Sequence, residues 1–304
     1  MAFSKACRGK QNKKEVLLFR ENFDENISTI RNQILSGNVS VGKYHYFTIH
    51  DPKERLICAS AFDERILHHA IMNICHPYFE RQLIYDTYAT RIGKGQYQAL
   101  DRAIQLTSKY QYLAKLDFRK YYYSINHNIL KEKLRKIFKD KLLLHIFDKI
   151  IDSYSVSEGL GLPIGNLTSQ YFANYYLSSL DHYIKEQLQI PYIRYMDDML
   201  ISDNNKENLK EYIKKITQYS TQNLKLTLKP PNIQPTSNGM SFLGYKLLPY
   251  RYLINGRSKR RFKIKMRKAE YKYQNNIWTE KEYINHLEPL LAFVKHGKFK
   301  IIAN

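Results

Sequence analysis

A chain of 304 residues is long enough to bury a real core, as one large domain or as two or three lobes. Hydrophobic residues make up an ordinary 43%, but 49 Lys or Arg against 28 Asp or Glu leave a net charge of +21; such a field attracts polyanions, nucleic acid first, because neutralised phosphates release counterions. The opening MAFSKACRGKQNKKE has no apolar stretch behind it and no later stretch reaches the ~18 apolar residues of a membrane helix, so secretion and membrane spanning are not expected, nor is a membrane among the expected partners. Cys7, Cys58 and Cys75 are odd in number, widely spaced and free of any CxxC pair, which reads as reduced thiols in a cytoplasmic protein.

Residues 1–45 carry a helical pattern and stand as an N-terminal extension. In DERILHHAIMNICHPYFE (63–80), Ile66, Leu67, Ala70, Ile71, Ile74 and Cys75 share a helical face and Pro77 ends the pattern. His68 and His69 are adjacent and face different ways, which suits core or surface histidines better than a metal pair. After RIGKGQYQ a helix runs to about Lys109, and YLAKLDF (112–118) alternates like a strand that ends in an aspartate. Residues 128–153 are helical and Lys-rich. GLGLPIGN (159–166) is a loop by its Gly and Pro content, and TSQYFANYYLSSLDHYIKEQL is a helix with small residues Ser169, Ala173 and Ser178. Pro191 opens a strand, the paired aspartates of YMDD make a turn, and MLIS returns as a second strand. A helix from Lys206 to about Gln222 follows, then a strand near GMSFLGYKL. This order predicts an α+β fold, a sheet backed by helices.

From Lys246 onward there are fifteen Lys or Arg and four acidic residues, densest in RSKRRFKIKMRK (257–268) and interleaved with Tyr250, Tyr252, Phe262, Tyr271, Tyr273 and Trp278. That mixture suits phosphate and base contact; the same aromatics equally suit one side of a helical core.

If the strand of Asp117 neighbours the hairpin of Asp197 and Asp198, three carboxylates converge at a sheet edge, since neighbouring strands lie about 4.8 Å apart. Clustered carboxylates repel and raise one another's pKa. Two hard cations such as Mg²⁺, about 3.5 to 4 Å apart on oxygen ligands, resolve the conflict and suit nucleotidyl transfer. The alternative is a strand-end aspartate and an unrelated polar turn.

YLAKLDFRKYYYSINH, GLPIGNLTSQYFANYYL, YIRYMDD and GMSFLGY follow one another in the order of the palm motifs of reverse transcriptases, which they resemble; DPKERLICASAFDERILHHA and RIGKGQYQALDRA resemble the fingers motifs. The resemblance spans about residues 50 to 246. It implies a right-hand polymerase: fingers at 46–111, a palm of antiparallel sheet backed by helices at 112–245 with a fingers insertion around 128–162, and a helical thumb at 246–304. It implies that Asp117, Asp197 and Asp198 are catalytic and bind two Mg²⁺ ions, with Mn²⁺ as a substitute, and that the backbone of Phe118 joins them. Lys53, Arg55, Phe118, Tyr122, Ile164 and Gly165 would contact the incoming nucleotide, Tyr122 excluding a 2′-hydroxyl so that dNTPs are preferred. Arg91 and Lys94 would touch the template, although Lys94 equally suits a solvated charge. GMSFLGY would support the primer.

One departure narrows the resemblance. Most reverse transcriptases carry glutamine before the loop glycine and proline after the serine, where this chain has Ile164 and Gln170. That pattern is similar to enzymes of diversity-generating retroelements, which copy a template-repeat RNA, misinsert opposite its adenines and feed the cDNA into mutagenic retrohoming of a target gene. Isoleucine offers no hydrogen bond where glutamine would restrain the nascent pair, so Ile164 and Gln170 are expected to set fidelity. The implied partners are template RNA, cDNA, dNTPs and a small basic accessory variability protein. The NAxxH and VTG features of retron enzymes are not apparent. A defence or retron-type reverse transcriptase stays open, as does a non-catalytic nucleic-acid-binding scaffold.

Overall fold

The computed structural model describes residues 1–50 and 54–296. In chain order, helices α1 (Ala2–Ala6), α2 (Lys14–Glu21) and α3 (Phe23–Ser36) precede the antiparallel pair β1 (Tyr44–Ile49) and β2 (Arg55–Ser60). Helices α4 (Phe62–Glu80) and α5 (Gln96–Lys109) lead to strand β3 (Tyr112–Leu116). Then come α6 (His127–Ile137), α7 (Lys141–Asp152), α8 (Leu167–Tyr176), α9 (Ser178–His182) and the hairpin of β4 (Tyr192–Tyr195) and β5 (Asp198–Asp203). After α10 (Lys206–Leu224) and β6 (Asn232–Pro235), a meander of β7 (Met240–Phe242), β8 (Tyr245–Leu248) and β9 (Arg251–Ile254) leads to α11 (Gly256–Gln274) and α12 (Glu280–His296). Helices and antiparallel sheets thus share the chain, as the α+β expectation requires.

The chain forms two compact units, each assembled from separate stretches. The first comprises Met1–Tyr85, Phe118–Tyr183 and Ile216–Leu228. Its core is aromatic: Phe79 contacts Phe138, Phe172 and Tyr175, and Phe147 meets Phe138 and Phe172 edge-on. Such pairs add about 0.5–1.5 kcal/mol each beyond the area they bury. The second unit comprises Asp86–Asp117, Ile184–Lys215 and Lys229–Asn304, of which the structure describes residues up to 296. A four-stranded antiparallel sheet in the order β4-β5-β3-β6 and the three-stranded β7-β8-β9 meander belong to it. Leu113, Ile193 and Leu200 from the first sheet, Phe242, Tyr245 and Leu247 from the second, and Leu100 and Ala103 from α5 fuse into one buried cluster.

Three local expectations need correction. Pro77 does not end α4 but lies inside its last turn, where it forgoes the backbone hydrogen bond to the carbonyl four residues earlier, and the helix runs on to Glu80. Of the expected apolar face, Ile66, Leu67, Ile71 and Cys75 are buried, but Ile74 is 73% exposed and His68 is buried beside them. The helical stretch 128–153 is two helices: Phe138 leaves α6 in extended conformation to bury its ring, and Asp140 restarts the chain by accepting the Leu143 N–H at 2.7 Å as an N-cap. The three cysteines are buried and free, and no helix among the described residues is long and apolar enough to cross a membrane.

Candidate active site

Strand β3 lies between β5 and β6 in the sheet of the second unit, and its register places Lys115 opposite Leu200 and Leu116 opposite Met199. Continued by one residue, the same register sets Asp117 beside Asp198. Side chains two apart share a face of a strand, so Lys115, Asp117, Asp198 and Leu200 line one face, the apolar part toward the core and the charged part at the sheet's end.

The β4-β5 hairpin supplies the third acid. Tyr195 pairs with Asp198, which leaves Met196 and Asp197 as a two-residue turn. Met196 takes φ 53°, a conformation that costs a non-glycine residue about 1 kcal/mol or more. It is held there by Arg194, which is 1% exposed and donates from Nη1 to the Met196 carbonyl at 2.9 Å. The outer edge of β4 is fixed in turn. Arg194 N–H donates to the Asp86 carbonyl and the Tyr88 N–H to the Arg194 carbonyl, both at 3.0 Å. Burial raises the Asp86 carboxyl pKa, but hydrogen bonds from Arg102 and Lys185 outweigh it and hold the group below its usual value.

The electrostatics of the three acids are unequal. Asp197 is pushed up to about 6, first by burial, then by the charge of Asp198, then by that of Asp117, with which it also shares a hydrogen bond. Asp198 pairs with Lys115 at 2.7 Å. Asp117 is contacted by the Lys229 ammonium through Oδ2, whereas its Oδ1 is buried without a hydrogen-bond partner. Among the described residues no three His, Cys, Asp or Glu side chains are gathered closely enough to enclose an ion as they stand. The donor set nevertheless fits hard divalent cations: all three groups are carboxylates, one buried Asp117 oxygen has no partner, and burial together with the charges of Asp198 and Asp117 makes Asp197 hold its proton more readily than a free aspartate.

The other residues singled out from the sequence lie in two places. In the second unit, Arg91 donates to the Thr87 carbonyl at 2.9 Å and to its hydroxyl at 2.7 Å, and the Lys94 ammonium sits 5.0 Å from the centre of the Tyr88 ring. In the first unit, Phe118 is buried, the Tyr122 carbonyl accepts the Leu162 N–H at 2.8 Å, and the Ile164 carbonyl accepts the Cys58 N–H of β2 at 2.8 Å. Gly165 has φ 125°, and a Cβ there would meet Ile57 Cγ2 at 3.0 Å and the Cys58 carbonyl at 3.2 Å, so only glycine lets the loop lie on β2. Arg55 is exposed on that strand and Gln170 is part-exposed on α8. Lys53 lies outside the described residues.

Arg194, Lys115 and Lys229 are the neighbours that sequence reading missed. Arg194 and Lys115 carry a faint signal, a lone cation inside an apolar strand; Lys229, far along the chain, carries none.

A family model described as reverse transcriptase (RNA-dependent DNA polymerase) matches residues 49–247. No curated protein matches the sequence. Among solved structures, the chain resembles apo telomerase from Candida tropicalis truncated from its C-terminal domain, with a TM-score of 0.55 and 16% identity over 71% of this chain and 56% of that one. Telomerase from Candida tropicalis in complex with a TWJ fragment of telomeric RNA gives 0.55 at 14% identity over 89% and 56%, and the equivalent complex from Candida albicans 0.54 at 12% over 82% and 54%. The chain therefore spans about half the length of the solved structures it matches. At such identities the likeness concerns the fold, which is that of a right-hand polymerase. With the family's model covering well over half of its residues, this chain belongs to the reverse transcriptase family.

Proposed function

We propose that the chain is an RNA-directed DNA polymerase that extends a primer with dNTPs by two-metal nucleotidyl transfer. The observation that carries this reading is the meeting of Asp117, Asp197 and Asp198 at one end of the β4-β5-β3 sheet, with a raised Asp197 and an unpartnered Asp117 oxygen. Asp117, Asp197 and Asp198, with the Phe118 backbone, would hold Mg²⁺, or Mn²⁺ in its place; bound there, the metal supplies acidity for the primer hydroxyl and charge compensation at the phosphoryl group. Arg194 and the Asp86 cluster keep the turn of Asp197 from shifting under that charge. Lys53 and Arg55 grip the triphosphate, and Tyr122 packs under the sugar and excludes a 2′-hydroxyl. The loop bearing Arg91 and Lys94 faces the template, and the thumb after residue 246 holds the duplex through the exposed cations of α11. Fingers at 46–111 and palm at 112–245 complete the assignment.

Within that activity the chain is of the diversity-generating kind, copying a template-repeat RNA with errors at adenines in partnership with a small basic accessory protein. Support comes from Ile164 in the loop and Gln170 in the helix, where accurate relatives carry a glutamine and a proline. Losing one hydrogen-bonding restraint relaxes discrimination by about tenfold to a hundredfold.

Primer extension on an RNA template with Mg²⁺ and dNTPs, followed by product sequencing, tests both levels. DNA with substitutions mostly at template adenines, absent with Asp197→Asn, is the expected result. Faithful DNA removes the diversity assignment, and synthesis that survives Asp197→Asn removes the metal site.

A further inference from the structure

Asn166 occupies the N-cap position of α8, yet its side chain makes no capping bond. Asn126, Asp140 and Asn255 at the same position of α6, α7 and α11 all cap their helices, accepting from Ile129, Leu143 and Ser258. Asn166 turns instead to β2: its Oδ1 lies 2.7 Å from the Ser60 hydroxyl, which lies 3.1 Å from Glu64 Oε1, while Glu64 Oε2 accepts the Gly42 N–H at 3.1 Å. Asn166, Ser60 and Glu64 are each at most 3% exposed.

One hydroxyl hydrogen cannot serve two acceptors. The chain closes when Glu64 is protonated and donates to Ser60, which then donates to Asn166. Burial pushes the Glu64 carboxyl up to about 7, so that form is accessible near neutrality. The chain closes equally with the amide reversed, Asn166 donating to Ser60 and Ser60 to an ionised Glu64, which gives the now unpartnered Nδ2 a bond. In both arrangements Ser60 is the link.

This tie lies immediately beyond Gly165, and the bond from the Cys58 N–H to the Ile164 carbonyl lies immediately before it. The two ties clamp the Ile164–Gly165 segment onto β2 at a separation that leaves no room for a Cβ. We infer that Asn166, held through Ser60 by Glu64, is a positioning residue that fixes the Ile164–Gly165 loop and thereby sets how strictly the enzyme selects its dNTP. The inference rests on the polymerase reading, and it moves part of the selectivity from the residue that faces the nucleotide to a buried chain behind it.

The test is single-nucleotide incorporation by the full chain on an RNA template and DNA primer with Mg²⁺, combined with hydrogen exchange at the Cys58 amide. Asn166→Ala and Ser60→Ala are expected to raise the dNTP KM and the misinsertion ratio about tenfold, with kcat changed by less than about threefold. The double variant should be no worse than either single one, because both cut the same chain. Ser60→Thr keeps the hydroxyl and should restore wild-type selectivity. The Cys58 amide should exchange faster in both alanine variants. Unchanged KM and misinsertion overturn the inference while leaving the polymerase intact, as does a loss confined to kcat and melting temperature. A wild type that incorporates nothing, although its Cys58 amide is protected by Asn166, overturns the polymerase reading and the selectivity claim with it.

Discussion

Lys229 holds Asp117 twice, its backbone N–H donating to the Asp117 carbonyl at 2.8 Å and its ammonium to the Asp117 carboxylate. Together with the bond from Lys115 to Asp198, this places two protein cations where a divalent ion would compete for the same oxygens. Removing one competitor favours the ion. Lys229→Met is expected to lower the Mg²⁺ concentration needed for half-maximal thermal stabilisation by about tenfold, the Coulomb gain being reduced because Lys229 is 40% exposed. A melting-temperature titration with Mg²⁺ reads this directly, and an unchanged midpoint would show that Lys229 does not compete for the site.

Asp197 sets activity against stability. Its folded pKa of about 6 lies above the 3.8 of an unperturbed aspartate, so between those values the folded state keeps a proton that the unfolded state has lost. Stability therefore falls as pH rises through that window, and at pH 7 the ionised group costs roughly 1–3 kcal/mol in the absence of metal. Asp197→Asn should recover that amount in denaturant unfolding at pH 7 and show no gain at pH 3. The same substitution should reduce DNA synthesis by about 10³-fold or more and abolish stabilisation by Mg²⁺.

Arg194 is buried, and its Nη1 bonds the carbonyl of a residue in left-handed conformation. Arg194→Met leaves that carbonyl without this donor, at a cost of about 1–3 kcal/mol. Because a displacement of about 1 Å in a catalytic group can cost about a hundredfold, kcat should fall by that order with little change in dNTP KM. Steady-state kinetics with both parameters resolved separates this from a defect in substrate binding, which would raise KM instead.

Exposed cations Arg260, Lys263 and Arg267 fall on one face of α11. Replacing all three with Gln should weaken binding to an RNA–DNA duplex and make it less salt-dependent, the slope of log K against log salt falling by about 0.9 per lost phosphate contact. Fluorescence anisotropy over a range of salt measures the slope, and an unaltered slope would place the duplex elsewhere.

Periodicity made β3, the β4-β5 hairpin, α5 and α10 legible in the sequence, and Gly and Pro marked the loop before α8. What it hid was decided by tertiary contact. On α4, Ile66, Leu67, Ile71 and Cys75 are buried as their spacing suggests, whereas Ile74 is exposed and His68 buried because tertiary packing decides where the buried face ends. The three acids were visible as residues, whereas Lys229 had no local pattern to betray it, since its contact with Asp117 crosses 112 positions. Asn166 stood in the sequence only as the last residue of a loop, and only the position of Ser60 shows how its side chain is used.

The interleaving of the two units bears on how the protein is made. The chain passes from one unit to the other at residues 85–86, 117–118, 183–184, 215–216 and 228–229. No single cut yields a complete half, so neither unit can be expressed from one uninterrupted fragment. During synthesis the first unit lacks its last stretch until Leu228 has left the ribosome, and the aromatic surfaces of α4, α7 and α8 wait in an unfinished core until then. Such exposure is what chaperones act on, and the yield of folded enzyme should depend on them more than its modest length suggests.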